Sequence, residues 1–100
     1  MEDNSVIWSD KALSDLDSIL EYISQNAGEE YADYVLKGIE ETVSRIYPFP
    51  HKHVREPLLN DYNIRYAVKW KYKIIYEIFS NHVEILHIYH TARDISTLLG

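Results

Sequence analysis

The sequence predicts an α+β domain with the element order β-α-α-β-β-β and a short terminal α element. Apolar residues recur at three- and four-residue spacing through residues 10–46, as in amphipathic helices, and at period two through residues 62–90, as in strands. The three prolines lie between these two regions, in residues 48–61, where a loop is expected. Because a helix and a sheet each need another layer to bury their apolar sides, we predict a helical hairpin packed on one face of a small antiparallel sheet. A chain of 100 residues supports one core, so residues 1–100 are predicted to form a single domain.

The first half of the chain predicts a short strand and two helices. The run SVIWS (5–9) is β-branched and aromatic, and Ser9 or Asp10 can cap the helix that follows. Gly28 ends this helix, and a second begins near Glu29 and stops at the prolines of YPFP. Asp15, Asp17 and Glu21 are placed on the solvent side of the first helix. The predicted apolar stripes are Leu13, Leu16, Leu20 and Ile23, widened by Ala12 and Ile19, in the first helix, and Ala32, Val35, Leu36, Ile39, Val43 and Ile46 in the second.

The second half predicts three strands in an antiparallel meander. The strands are YNIRYAVKW (62–70), YKIIYEIF (72–79) and VEILHIYH (83–90), each rich in β-branched and aromatic residues. Short connections between them favour hairpins. We expect the last strand to be central in the sheet, and residues 92–100 to form a short helix or a tail.

The charge of the chain is uneven. Its formal net charge is −6, which disfavours bulk nucleic-acid binding, since such proteins usually need an excess of Lys and Arg. Most of the acidic residues lie in the first 47 positions. Residues 52–73 instead carry six cations, Lys52, Arg55, Arg65, Lys69, Lys71 and Lys73, against only Glu56 and Asp61. A local basic surface on an acidic protein is therefore predicted.

Several classes of protein are excluded by what the sequence lacks. Without cysteine it has no disulfide, thiol nucleophile or thiolate metal site. Its apolar runs are shorter than the ~20 residues that a membrane helix needs, and its N-terminus does not resemble a signal peptide, so a cytoplasmic protein is expected. P-loop, GxGxxG and Ser-His-Asp motifs are missing, and no cofactor is predicted.

The spacing of the histidines gives only weak support for a metal site. The pairs His51-x-His53 and His87-x-x-His90 have no matching carboxylates or HExxH motif. Residues 87 and 90 also point to opposite faces of a regular strand, so they cannot share one ion there. We predict no metal site.

Acid–base cleavage of RNA is a sharper alternative. Attack by a ribose 2′-OH requires a base, an acid and a cation for the developing phosphate charge. His90 could be the base or the acid, and Arg65, Lys73 or Arg93 the cation. Structural roles compete with this interpretation, because His90 can hydrogen-bond at the sheet edge and Arg93 can pair with Asp94.

The order and spacing of several segments resemble the RelE/ParE toxin superfamily over nearly the whole chain. A strand ending in Trp8 precedes A-x-x-D-L-x-x-I-x-x-Y-I, which begins at Ala12, and YPFPH, KYKIIYEI and VEILHIYHTARD follow in order. The resemblance implies a helical hairpin on a curved antiparallel sheet. It also implies a toxin of a type II toxin–antitoxin module and a cognate antitoxin whose C-terminal segment wraps the toxin.

The superfamily divides into ribosome-dependent mRNA endonucleases of the RelE type and ParE-type proteins that poison DNA gyrase. The sequence departs from the nuclease pattern that the resemblance implies. Ile64 and Tyr66 stand where outward lysines are expected, and Lys73 stands where an arginine is typical. An arginine is also expected near Thr91, and none is found at that position. Only His90, Arg93, Lys73 and Arg65 remain as candidate catalytic residues.

The ending H-x-A-R-D, from His90 to Asp94, is similar to ParE-like or plasmid-stabilisation proteins. The resemblance therefore favours growth arrest through DNA gyrase. A RelE-like mRNA endonuclease and a degenerate member that only binds antitoxin are the alternatives, and whether the protein is an enzyme stays open. A homodimer or a toxin–antitoxin hetero-oligomer is compatible with either type.

Overall fold

The computed structural model describes residues 5–56, 61 and 63–91, and the predicted terminal element (92–100) and Arg93 lie outside this part of the chain. Within these residues, two helices and five strands follow in the expected order, with one additional strand. They are β1 (Val6–Trp8), α1 (Asp10–Ala27), α2 (Glu29–Ser44), a 3₁₀ turn (Pro50–Lys52), β2 (Val54–Arg55), β3 (Ile64–Lys69), β4 (Tyr72–Ile78) and β5 (Val83–His90).

The strands form one sheet in the order β1-β5-β4-β3-β2. The meander β2-β3-β4-β5 is antiparallel, but β1 pairs with β5 in parallel, with Val6 opposite Val83. The predicted α+β architecture is confirmed, and the sheet is mixed rather than purely antiparallel. A short turn requires antiparallel pairing only between the two strands that it connects. Both helices and three other strands separate β1 from β5 in the chain, so these two strands can pair in parallel.

Two details of the predicted sheet were wrong. The central strand is β4, and β5 lies between β4 and the edge strand β1. The proline-rich segment 48–61 also contains β2, whose Val54 pairs with Tyr66. A strand of two residues is too short to produce a period-two pattern in the sequence.

The helical hairpin packs on one face of the sheet and closes the main core. Ser9 caps α1 as predicted, since its side-chain oxygen accepts a hydrogen bond from the Ala12 N–H at 3.0 Å. Gly28 joins the two helices at a φ of 96°, a backbone conformation that residues other than glycine rarely adopt. The buried core residues that the helices and strands share are Ala12, Leu16, Ile23, Val35, Ile39, Val43, Ile46, Ala67, Ile74, Tyr76, Ile78, Val83, Ile85 and Ile88.

One predicted core position differs. Leu13 is 46% exposed, whereas its neighbour Ala12 is fully buried. The buried stripe of α1 is thus centred on Ala12, Leu16 and Ile23, and Leu13 lies at its border. No helix among the described residues is long and apolar enough to cross a membrane.

Candidate functional site

Lys73 lies in a buried ion pair. Its Nζ is 2.7 Å from Oε2 of Glu56, a residue that is only 1% exposed. The same Nζ lies 4.0 Å from the ring centroid of Tyr66 and 5.9 Å from that of Tyr89. Burial alone would lower the pKa of Lys73, but hydrogen bonds to Glu56 and Tyr89 and the charge of Glu56 raise it overall. Lys73 therefore stays protonated, and its charge compensates a buried carboxylate.

Arg65 supports the segment between α2 and β2. It is 7% exposed, and its Nη1 donates to the backbone carbonyls of His51 at 3.0 Å and His53 at 2.9 Å. Tyr76, its register partner on β4, donates its hydroxyl to the carbonyl of Pro50 at 2.5 Å. Burial raises the pKa of the Tyr76 hydroxyl, against the opposing effect of the Arg65 charge, so this hydroxyl remains a donor. The two side chains hold the 3₁₀ turn against the sheet.

His90 occupies the last position of β5. It pairs in register with Tyr72, and the two rings meet edge to face with centroids 5.6 Å apart. The half-buried imidazole lines a cleft of about 520 Å³ between α1 and the end of β5, together with Lys11, Asp15 and Tyr22.

The three described candidates do not converge on one point. Lys73 pairs with Tyr89, and His90 pairs with Tyr72. Paired residues share a face of the sheet and successive residues alternate between faces, so Lys73 and His90 lie on opposite faces. Arg65 lies opposite Tyr76, which is four residues along β4 from Tyr72, the partner of His90. At ~3.3 Å per residue, Arg65 and His90 are therefore separated by about 13 Å along the strand direction. The fourth candidate, Arg93, lies outside the described residues.

Asp15, predicted on the solvent side of α1, instead faces β5. Its side chain is only 10% exposed, and Oδ2 accepts a hydrogen bond from the Ile88 N–H at 3.1 Å. Its Oδ1 accepts from Lys11 Nζ at 2.5 Å. Oδ2 also lies 3.8 Å from Nδ1 of His87. Asp15 thus binds α1 directly to the backbone of β5.

Ser9 makes the companion contact. Its backbone N–H donates to the carbonyl of Ile85 at 3.0 Å, and its hydroxyl donates to the carbonyl of Leu86 at 3.2 Å. β1 ends at Trp8, opposite Ile85, so beyond this point β5 has no strand partner on that edge among the described residues. Side chains at the start of α1 take the place of the missing strand. The only sequence signal for this was the Asp of the A-x-x-D-L motif, which periodicity alone assigns to solvent.

His87 lies beside Asp15 at an irregularity of β5. Leu86 interrupts the register, because Ile75 pairs with His87 while Tyr76 pairs with Ile85. Burial lowers the pKa of the His87 imidazole, and the Asp15 charge offsets only part of this effect. His87 is therefore neutral at physiological pH. Across the described residues, no group of three or more His, Asp or Glu side chains is arranged to hold a metal ion.

A second cleft, of about 390 Å³, lies between β1 and the helical hairpin. Its walls are mainly apolar and include Trp8, Leu13 and Val43, with Glu40 and Ser44 beside them. It shares no lining residue with the cleft at His90.

Comparison with known proteins gives a family match and a structural match. The model of the family described as ParE toxin of type II toxin-antitoxin system, parDE, matches residues 6–95. A solved structure titled "Chromosomal ParDE TA system from P. aeruginosa" superimposes with a TM-score of 0.72 at 23% sequence identity, covering 86% of this chain and 94% of that one. The comparison with curated proteins gave no match.

The Glu56–Lys73 pair makes a stability prediction. Lys73→Met should lower the free energy of unfolding by about 3 kcal/mol, because it removes the cation that pairs with the buried Glu56 carboxylate. Lys73→Met combined with Glu56→Met should recover most of this loss, since the charge is then removed as well. Urea unfolding followed by circular dichroism measures both. Lys52→Met, at an exposed position, is the control, and equal losses in the single and double variants would contradict the prediction.

The Asp15 contact makes a second prediction. Asp15→Ala should lower the free energy of unfolding by about 1–3 kcal/mol and speed hydrogen exchange at the Ile88 amide, because that N–H loses its acceptor. Asp17→Ala removes an exposed carboxylate from the same helix and should change neither quantity appreciably. Unchanged exchange at Ile88 in the Asp15 variant would show that the carboxylate does not hold the strand.

Proposed function

Because this chain belongs to the family of ParE toxins of type II toxin–antitoxin systems, we propose that its target is DNA gyrase and that a cognate antitoxin neutralises it. In this proposal the chain arrests growth by binding, and the DNA breaks are made by gyrase itself. The chain then acts in the cytoplasm, where gyrase meets the chromosome.

The observation that supports gyrase over mRNA is the dispersal of the candidate nuclease residues. General acid–base cleavage needs its acid, base and cation within hydrogen-bond reach of one phosphate. Here the charge of Lys73 is compensated by Glu56, Arg65 is buried against carbonyls of the 51–53 segment, and His90 lies on the other face from Lys73. The net charge of −6 also disfavours docking against ribosomal RNA.

The gyrase proposal is tested with purified components. Incubation of the protein with gyrase, ATP and supercoiled plasmid should trap cleaved DNA, seen as linear plasmid after detergent and protease treatment. Omitting gyrase is the control and should leave the plasmid intact.

The competing activity is examined in the same cells that the toxin arrests. After induction, mRNA ends on ribosomes should show no cuts in phase with codons, and His90→Ala should retain toxicity if it folds. Codon-phased cuts, with toxicity lost in a folded His90→Ala protein, would favour the endonuclease. Absence of cleaved plasmid, of mRNA cuts and of growth arrest would overturn the gyrase target and favour a member that only binds antitoxin.

The outer edge of β1 is the proposed place for the antitoxin. The backbones of Ser5 and Ser9 hydrogen-bond to β5. The backbone N–H and C=O groups of Val6 and Trp8 therefore point in the opposite direction, towards the outer edge of β1. The apolar cleft lies beside this edge. An extended antitoxin segment could add as a strand along β1 and place apolar side chains in the cleft.

Leu13 tests this placement, because it lines the cleft and is 46% exposed. Leu13→Glu should weaken antitoxin binding about tenfold or more, since it puts a charge in an apolar contact, and should leave toxicity intact. Gln25→Glu adds the same charge at an exposed position of α1 and serves as the control. Growth rescue by the co-expressed antitoxin and titration calorimetry measure the effect. Equal neutralisation of both variants would place the antitoxin elsewhere.

A further inference from the structure

Three aromatic side chains form an exposed patch where α2 meets the β3–β4 turn. The rings of Tyr31 and Tyr34 stack with centroids 6.0 Å apart, and the Tyr34 ring lies 5.3 Å from that of Trp70. Tyr31, Tyr34 and Trp70 are 52%, 58% and 43% exposed. Lys69 Nζ lies 4.7 Å from the Trp70 ring centroid. Tyr and Trp residues grouped in this way are typical of protein–protein contacts.

The backbone around Trp70 is specialised for this position. Lys69 pairs with Tyr72, so Trp70 and Lys71 form a two-residue hairpin turn, and Trp70 has a φ of 53°. Asn and Gly are the usual residues in such turns. Gly38, inside α2, makes room for the indole, because a Cβ at Gly38 would lie 2.1 Å from Cη2 of Trp70. A left-handed Trp and a glycine inside a helix are both unfavourable, yet the ring they position stays partly exposed.

The patch has an acidic end and a basic end. Glu29 and Glu30 lie at the start of α2, and Glu30 precedes Tyr34 by one turn. Lys69 and Lys71 lie at the other end, beside the Trp70 ring that covers Gly38. From residue 30 to residue 38 the helix rises about 12 Å at ~1.5 Å per residue. The aromatic rings lie between the two charged ends, beside the exposed Asp33–Lys37 ion pair, whose opposite charges balance each other.

We propose that this patch, defined by Tyr31, Tyr34 and Trp70 with the flanking glutamates and lysines, is the surface through which two copies of the chain form a symmetric dimer. A two-fold axis through the patch brings the same surface of both copies together in opposite directions. The aromatic rings then meet at the centre, and the lysines of each copy face the glutamates of the other. A nucleic acid fits this surface poorly, because its phosphates would meet the acidic end.

The dimer is weak and leaves the other surfaces accessible. The patch is small, so its interface lies at the low end of the size range of specific complexes. It shares no residue with the cleft at β1, and dimerisation is therefore compatible with an antitoxin bound there. The proposal does not depend on gyrase as the target.

Sedimentation velocity of the purified full chain over a series of concentrations tests the dimer. The average mass should rise towards that of two chains, and Tyr31→Ala with Tyr34→Ala should raise the dissociation constant about tenfold or more. Phe49→Ala, at a side chain that is 69% exposed outside the patch, should leave it unchanged. Circular dichroism confirms that each variant is folded. A monomer at every concentration, or equal association of the patch and control variants, overturns the proposal.

Charge exchange tests the arrangement independently. Lys69→Glu with Lys71→Glu makes both ends acidic, and Glu29→Lys with Glu30→Lys makes both ends basic. Each of these variants alone should stay monomeric, because like charges meet across the axis. An equimolar mixture should dimerise, because every contact then joins opposite charges. A mixture that stays monomeric, or a single charge variant that dimerises like the unaltered chain, overturns the two-fold arrangement.

Discussion

The structure depends on how the free edge of β5 is covered after β1 ends. β1 pairs with only three residues of β5, and the chain then leaves the sheet to begin α1. Ser9 bonds to the carbonyl of Leu86, and Asp15 accepts the Ile88 N–H, so the first turns of the helix continue the edge that the strand leaves open. A buried backbone group without a partner is costly, and these two side chains therefore fix where α1 lies on the sheet. The positions of α2 and of both clefts follow from that placement.

Much of the fold could be predicted from the sequence because its information is local. The stripe of α2, the Ser9 cap, the Gly28 junction and the β3–β5 meander all leave periodic or turn signals within a few residues. The parallel β1–β5 pairing and the role of Asp15 leave no such signal, because each depends on a partner more than 70 residues away. Asp15 has the spacing of a solvent-facing acid, and only the position of β5 makes it a buried acceptor.

The candidate site could be predicted less well, for a related reason. A cation on an outward strand position is available to a phosphate only if no acid reaches it first. Glu56 does reach Lys73, and it does so from a strand edge 17 positions earlier in the chain, where the sequence suggested a solvated loop. Arg65 is similar, since its acceptors are backbone carbonyls and therefore have no residue-type signature. Residue type therefore indicates suitable chemistry at these positions, but the contacts that occupy the side chains depend on the fold.

The parallel pairing of β1 with β5 also determines the order in which the molecule can be completed. The contacts from Ser9 to Leu86 and from Asp15 to Ile88 span 77 and 73 positions, so loop-closure entropy opposes them until most of the other structure exists. During synthesis, the helical hairpin leaves the ribosome well before the strand that covers its apolar face. Until β5 emerges, the nascent chain therefore exposes part of the Leu16 and Ile39 surfaces, and the clefts beside β1 and β5 can form only after it.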